Sequence, residues 1–225
     1  MSRSRAARAA AGVRVSAVTG YHRDSDYALR PASLTCPPGD PGKERTAVNA
    51  AEPFVASETA LLFVDPYNDF ISEGGKFWER IREVAESRDL IAHLQQIVSA
   101  ARRAGVRLFY VPHRQWQPGD FEDWDHPTPY QLGAARFRMF EKGSWGGEWR
   151  SEFAPQPGDV IAKEHYASSG FANTDLDFLL KQHRIRRVIV IGLLANTCIE
   201  TTARFATELG YHTTIVTDAT AAVSE

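Results

Sequence analysis

Cysteine is scarce in this 225-residue chain, with only Cys36 and Cys198, far apart in sequence. Two distant thiols make no disulfide framework, and no second Cys/His cluster stands at zinc-finger spacing. Long apolar runs are also missing. The stretch from Val188 to Ala195 is interrupted by Gly192 and is far shorter than the roughly 20 residues needed to span a bilayer. Nor is there an excess of one charge: 26 basic against 28 acidic residues leave a net charge of -2. These absences argue against extracellular stapling, a membrane span, and a nucleic-acid or anionic-membrane partner. A reducing cytoplasm is the expected compartment.

The start of the chain lacks acid as well. Met1 to Arg23 holds five arginines among alanines and serines, and Pro31 to Lys43 carries four prolines and two glycines without hydrophobic periodicity. Such composition buries too little apolar surface to offset its ordering entropy. Residues 1–56 are expected to be a disordered arm or the product of a start site placed too far upstream; a transit-like leader is the alternative. Gly39-Asp40-Pro41-Gly42-Lys43 has neither the spacing nor the preceding strand of a phosphate loop.

What is present begins at Ser57, and residues 57–225 read as one domain. Thr59–Val64 is an apolar run closed by Asp65-Pro66, a buried strand ended by a breaker. Asp89–Arg103 has helical apolar spacing and stops at Gly105. Strands follow at Val106–Val111 and Asp159–Ala162, with loops and short helices expected over Gln115–Pro157. A helix at Leu176–His183, a strand at Arg187–Leu193, a helix at Thr197–Leu209 and a strand at His212–Thr217 complete the alternation. The pattern predicts an α/β fold with a mainly parallel, Rossmann-like sheet.

In such sheets ligands bind beyond the carboxyl ends of the strands. Asp65 follows the first strand, Lys163 the third, and Cys198 the fourth by a short turn. Three chemically capable residues therefore converge on one rim. Asn196 or Thr197 would cap the following helix and place Cys198 in its first turn, where the positive dipole end favours a thiolate. Each residue also has an ordinary explanation. A free cysteine is commonly a small buried hydrophobe, an Asp after a strand a turn former, and a strand-end Lys a solvated charge. Their joint placement is what raises a catalytic reading.

Motifs around them point the same way. Leu61-Leu62-Phe63-Val64-Asp65-Pro66-Tyr67-Asn68-Asp69-Phe70 resembles the opening strand of the isochorismatase-like cysteine hydrolases. Gly192-Leu193-Leu194-Ala195-Asn196-Thr197-Cys198-Ile199-Glu200-Thr201-Thr202 is similar to that family's nucleophile segment, and Gly158 to Lys163 to its lysine segment. The resemblance runs from about Thr59 to the end of the sequence. It implies a three-layer α/β/α sandwich and a catalytic Asp65–Lys163–Cys198 triad forming a thioester. A cis peptide at Leu194–Ala195 and an oxyanion hole from the N–H groups of Ala195 and Cys198 are also implied, as is association into homo-oligomers. Because Cys198 is present, a small amide, lactam, ureido or carbamoyl C–N bond is the expected target.

The sequence departs from the family's pattern in three places. Nicotinamidase-type relatives bind a metal through Asp-x-His, but here Val111-Pro112-His113 offers no such Asp, so no metal or other cofactor is expected. The stretch from Lys163 to Phe171 is about two residues longer than the pattern, which reshapes the pocket wall. The match stops at Glu225, where relatives continue, so a C-terminally incomplete domain is expected. Tyr67, Phe70, His113, Trp145, Tyr166 and Phe171 are the candidate pocket residues, though any of these aromatics could instead cover a sheet edge or a subunit contact. A metal-assisted amidase and a non-catalytic α/β binding or assembly protein are the alternatives.

Overall fold

The computed structural model describes the backbone of Val15–Val18 and residues 55–224. Apart from those four residues and Val55–Ala56, the arm expected over residues 1–56 lies outside the described ones, as does Cys36. In chain order the strands are β1 (Val15–Val18), β2 (Thr59–Val64), β3 (Arg107–Val111), β4 (Val160–Ile161), β5 (Arg187–Leu193) and β6 (His212–Ala221). The helices are α1 (Asn68–Ile71), α2 (Trp78–Ser87), α3 (Leu90–Arg103), α4 (Pro129–Phe137), α5 (Leu176–Gln182) and α6 (Glu200–Glu208).

The sheet order is β1-β6-β5-β2-β3-β4. Strands β2 to β6 are all parallel, and β1 joins the β6 edge antiparallel. Parallel neighbours need crossover connections, and helices supply them on both faces. Alternation along β2 sorts the core: Leu61 and Phe63 pack with Ile81, Leu94 and Val98 of α2 and α3. Ala60, Leu62 and Val64 face Leu176, Leu180, Ala203 and Ala206 of α5 and α6. This is the expected α/β/α sandwich. Central strands buried on both faces explain why β2 and β5 read as uninterrupted apolar runs.

Helix α3 shows how sequence spacing sets packing. Leu90, Leu94, Val98 and Ala101 form its buried stripe, each large side chain adding about 1.5–3 kcal/mol by leaving water. Its last turn carries Arg102, whose guanidinium donates to both carboxylate oxygens of Asp159 at 3.1 and 2.7 Å. That fork fixes the entry to the short edge strand β4.

From β2 the chain moves outward through β3 to β4, whereas β5 returns to the other side of β2 and is followed outward by β6. The order therefore reverses between β2 and β5, and their carboxyl ends flank the crevice where ligands bind in such sheets. Gly192 bends β5 at this point. Its φ is 115°, and a Cβ there would lie 2.0 Å from the Val64 carbonyl oxygen, so only glycine fits beside the end of β2. Among the described residues no helix is long and apolar enough to cross a membrane.

Candidate active site

Asp65 leaves β2 in a left-handed conformation, φ 52°, which Asp tolerates better than most side chains. Its N–H donates to the Val111 carbonyl at 3.2 Å and its own carbonyl accepts from Tyr67 at 2.8 Å. The carboxylate is thereby turned into the crevice, fully buried. Cys198 follows β5 in a single π-helical turn, Ala195–Ile199, that continues into α6. Leu194 occupies the cap position without a side-chain bond, so neither Asn196 nor Thr197 caps the turn as expected. The cis peptide lies between Leu193 and Leu194, one residue earlier than the family resemblance implied.

The third residue of the cluster is not Lys163. Its side chain is exposed, and its backbone N–H donates to Asp175 Oδ1 at 2.7 Å. His165 stands in the crevice instead, fully buried, with Nε2 3.1 Å from Asp65 Oδ1 and Nδ1 3.0 Å from the Ala167 carbonyl oxygen. The backbone explains the exchange. Beyond β4 the chain still runs beside β3, with Ala162 N–H on Tyr110 and His165 N–H on Pro112. Buried Ala162, exposed Lys163 and buried His165 show which side chains that path turns inward. The sequence carried a hint of this: counting back from Phe171 across the two extra residues reaches His165 rather than Lys163.

A carboxylate oxygen of Asp65, a ring nitrogen of His165 and Cys198 Sγ all lie within 4.8 Å of one another. A carbonyl oxygen cannot donate, so Nδ1 of His165 carries a proton toward Ala167. The geometry thus puts the His165 ring against Asp65, where the resemblance implied Lys163. Asp65 Oδ2 is buried with no hydrogen-bond partner, leaving a free acceptor beside the thiol. Burial and then the Asp65 charge push the Cys198 thiol well above its usual range, with the Thr197 hydroxyl and Leu194 backbone pulling weakly the other way. The thiol is therefore protonated at rest; the expectation of a dipole-stabilised thiolate gives way to desolvation. As a set of O, N and S donors, the three side chains could also hold a soft divalent cation.

The thiol opens into a cavity of about 230 Å³. Phe70 and His113 line it, as expected. Burial and the facing His165 hold His113 down to about 4, so its ring is neutral near pH 7. Four other expected pocket residues do not line it. Tyr67 is buried between the rings of Phe140 and Trp149, at 4.7 and 4.6 Å, with its hydroxyl donating to the His113 carbonyl. It supports the wall from behind. Trp145 is 50% exposed and lines a separate open groove with Trp78 and Arg150. Tyr166 packs on Trp124 and under Arg114, and Phe171 packs on Tyr211 in the core beneath α5 and α6.

The residues that replace them come from α4 and two loops. Phe77, Phe137, Met139 and Phe140 form apolar walls, and Ala167 and Ser168 border the thiol. Asp69 sets much of this. Its buried carboxylate accepts the N–H groups of Lys76 at 3.1 Å and Phe140 at 2.8 Å, placing both flanks of the cavity. A capping box, Thr128 with Gln131, fixes where α4 begins.

The whole domain matches the isochorismatase domain family over residues 59–225. The chain is 31% identical to ureidoacrylate amidohydrolase RutB of Pantoea ananatis over 199 residues, covering 81% of this chain and 78% of the relative. It is 34% identical to the enzyme of the same name from Stutzerimonas stutzeri, covering 73% and 70%. Among solved structures, a cysteine hydrolase from Pseudomonas syringae pv. phaseolicola superposes with a TM-score of 0.62 at 28% identity, covering 76% of each chain.

Proposed function

The chain belongs to the isochorismatase family and is a hydrolase of a non-peptide amide, ureido or carbamoyl C–N bond, and we propose that it acts through a thioester on Cys198. The observation that carries this reading is the buried Asp65–His165–Cys198 cluster at the ends of the adjacent strands β2 and β5.

Asp65 Oδ2 takes the thiol proton as sulfur bonds to the substrate carbonyl carbon. His165, held by the Ala167 carbonyl, keeps Asp65 aimed at the thiol. The N–H groups of Ala195 and Cys198 receive the developing oxyanion, each donor lowering the barrier by about 3–4 kcal/mol. Collapse breaks the C–N bond, and the proton on Asp65 passes to the departing nitrogen. Water then attacks the thioester, giving a proton to Asp65, and the C–S bond breaks as that proton returns to sulfur. One water is consumed, and an acid and an amine or ammonia are released. Raising the thiol's proton affinity suits this sequence, because attack and proton transfer then occur together rather than from an idle thiolate.

A reducing cytoplasm, which preserves the thiol, is the compartment we assign. Exposed Tyr130, Leu132 and Phe137 on α4 support association between copies.

The test is mass spectrometry of the chain mixed with a panel of amides and ureides. An acyl adduct confined to Cys198, absent in Cys198→Ala, is expected together with loss of turnover in that variant. Turnover retained by Cys198→Ala would sink the covalent route.

A further inference from the structure

We infer that the cavity selects neutral amides whose larger substituent is apolar and about the size of a phenyl ring, and rejects substrates carrying a carboxylate there. The inference rests on the hydrolase reading above and names its substrate class. Ureidoacrylate, after which the relatives are named, is an anion. A pocket for such a substrate needs a cation or a fork of donors for the carboxylate, since burying it unpaired costs several kcal/mol.

No Arg, Lys, Asp or Glu is among the described residues that line the cavity. Its walls are Phe70, Phe77, Phe137, Met139, Phe140 and Leu194. Of the neighbouring described cations, Lys76 and Arg138 are paired, and Arg136 is exposed and lies over the Phe137 ring at 5.8 Å without lining the cavity. Lys76 Nζ donates to the Arg138 carbonyl and pairs with Asp69 at 3.6 Å. Arg138 lies over Trp116 at 4.8 Å and pairs with Glu141. Arg80 is exposed and stacks on Phe77 and Phe137, at 5.4 and 5.7 Å, without lining the cavity. Size agrees with this chemistry. An apolar cavity of about 150 Å³ holds benzene, so about 230 Å³ accepts a phenyl-sized group together with the amide.

One position allows the polarity to be reversed. Gly133 lines the cavity from α4, and a Cβ added there meets nothing within 4 Å. Gly133→Arg therefore starts from a Cβ with open space around it, in a helix that favours Arg over Gly.

The experiment compares kcat/KM and Cys198 acylation for matched pairs: benzamide with 4-carbamoylbenzoate, and hexanamide with adipamate. Benzamide and 4-carbamoylbenzoate binding to Cys198→Ser is measured alongside by calorimetry. At least a hundredfold preference for the neutral member is expected, with Gly133→Arg raising the anionic member's kcat/KM at least tenfold. Equal or better acylation by the anions overturns the inference and leaves the hydrolase reading standing; loss of that activity in Arg80→Ala would then identify the carboxylate's partner. Neutral ligands that bind Cys198→Ser while no compound acylates the native thiol support the pocket chemistry and count against the hydrolase reading. Failure of the neutral ligands both to bind and to acylate overturns the inference.

Discussion

His165 Nε2 lies 3.1 Å from Asp65 Oδ1, joining residues one hundred positions apart at the buried end of the crevice. Lys163, two residues earlier, reaches neither Asp65 nor Cys198 and stays in solvent. The two side chains therefore make opposite predictions. His165→Gln, which removes the ring that orients Asp65, should lower kcat by about 10²–10⁴, whereas Lys163→Ala should leave kcat within about twofold. Steady-state kinetics on one acylating substrate decide the matter. The reverse pattern would return the triad to lysine.

Removing the Asp65 charge should make the thiol easier to ionise while stopping catalysis. Burial is the larger cause of the raised Cys198 proton affinity, and the carboxylate is the next. In Asp65→Asn the pH midpoint for iodoacetamide alkylation should fall, yet remain above that of a free cysteine because burial persists. Acylation by amides should be lost, since nothing takes the thiol proton. An unchanged or higher alkylation midpoint would show that Asp65 does not face the thiol in solution.

How much of this was legible beforehand follows from which interactions are local. β2, α3 and β5 announced themselves because their apolar spacing is written in consecutive residues, and β5 begins and ends where the pattern put it. Asp65 and Cys198 do lie together beyond the ends of β2 and β5, where the rule that ligands bind at strand ends directed attention. Lys163 lies outside the buried cluster because β4 is only two residues long by its ladder but continues irregularly to His165, a path set by β3 rather than by the segment itself. The cavity wall was hidden for a similar reason. Residues 115–157 lack periodicity, and their positions depend on Asp69 and on the capping box of α4. The box was readable as Thr128-x-x-Gln131; the Asp69 clamp, which reaches Phe140 across 71 positions, was not.

Zinc should act here as an inhibitor. Asp65, His165 and Cys198 supply three donor atoms within 4.8 Å, and tetrahedral zinc separates its ligand atoms by about 3.5 Å, so a small inward shift completes the site. Bound zinc would hold the sulfur and the proton acceptor that catalysis uses. Micromolar Zn²⁺ should protect Cys198 from iodoacetamide and suppress turnover, both reversed by EDTA. Stimulation by zinc, with loss of activity on chelation alone, would favour a metal-assisted amidase instead.

His113 should make the domain acid-sensitive. Its ring is buried against His165, with Nδ1 3.0 Å from the Arg114 carbonyl oxygen, and its pKa is held near 4 by burial first and by His165 second. In the unfolded chain the same ring titrates near about 6.5. Between these values the unfolded state binds the proton and the folded state does not, so stability rises with pH across the window. The contribution is fully present above about 6.5 and lost as pH falls toward 4. A displacement of this size corresponds to about 3 kcal/mol at most. His113→Gln keeps a polar, uncharged side chain and removes the titration. Urea midpoints measured from pH 7 to pH 4 should therefore fall more steeply for the native chain than for His113→Gln. Parallel slopes for the two proteins would mean that His113 is not held neutral in the fold.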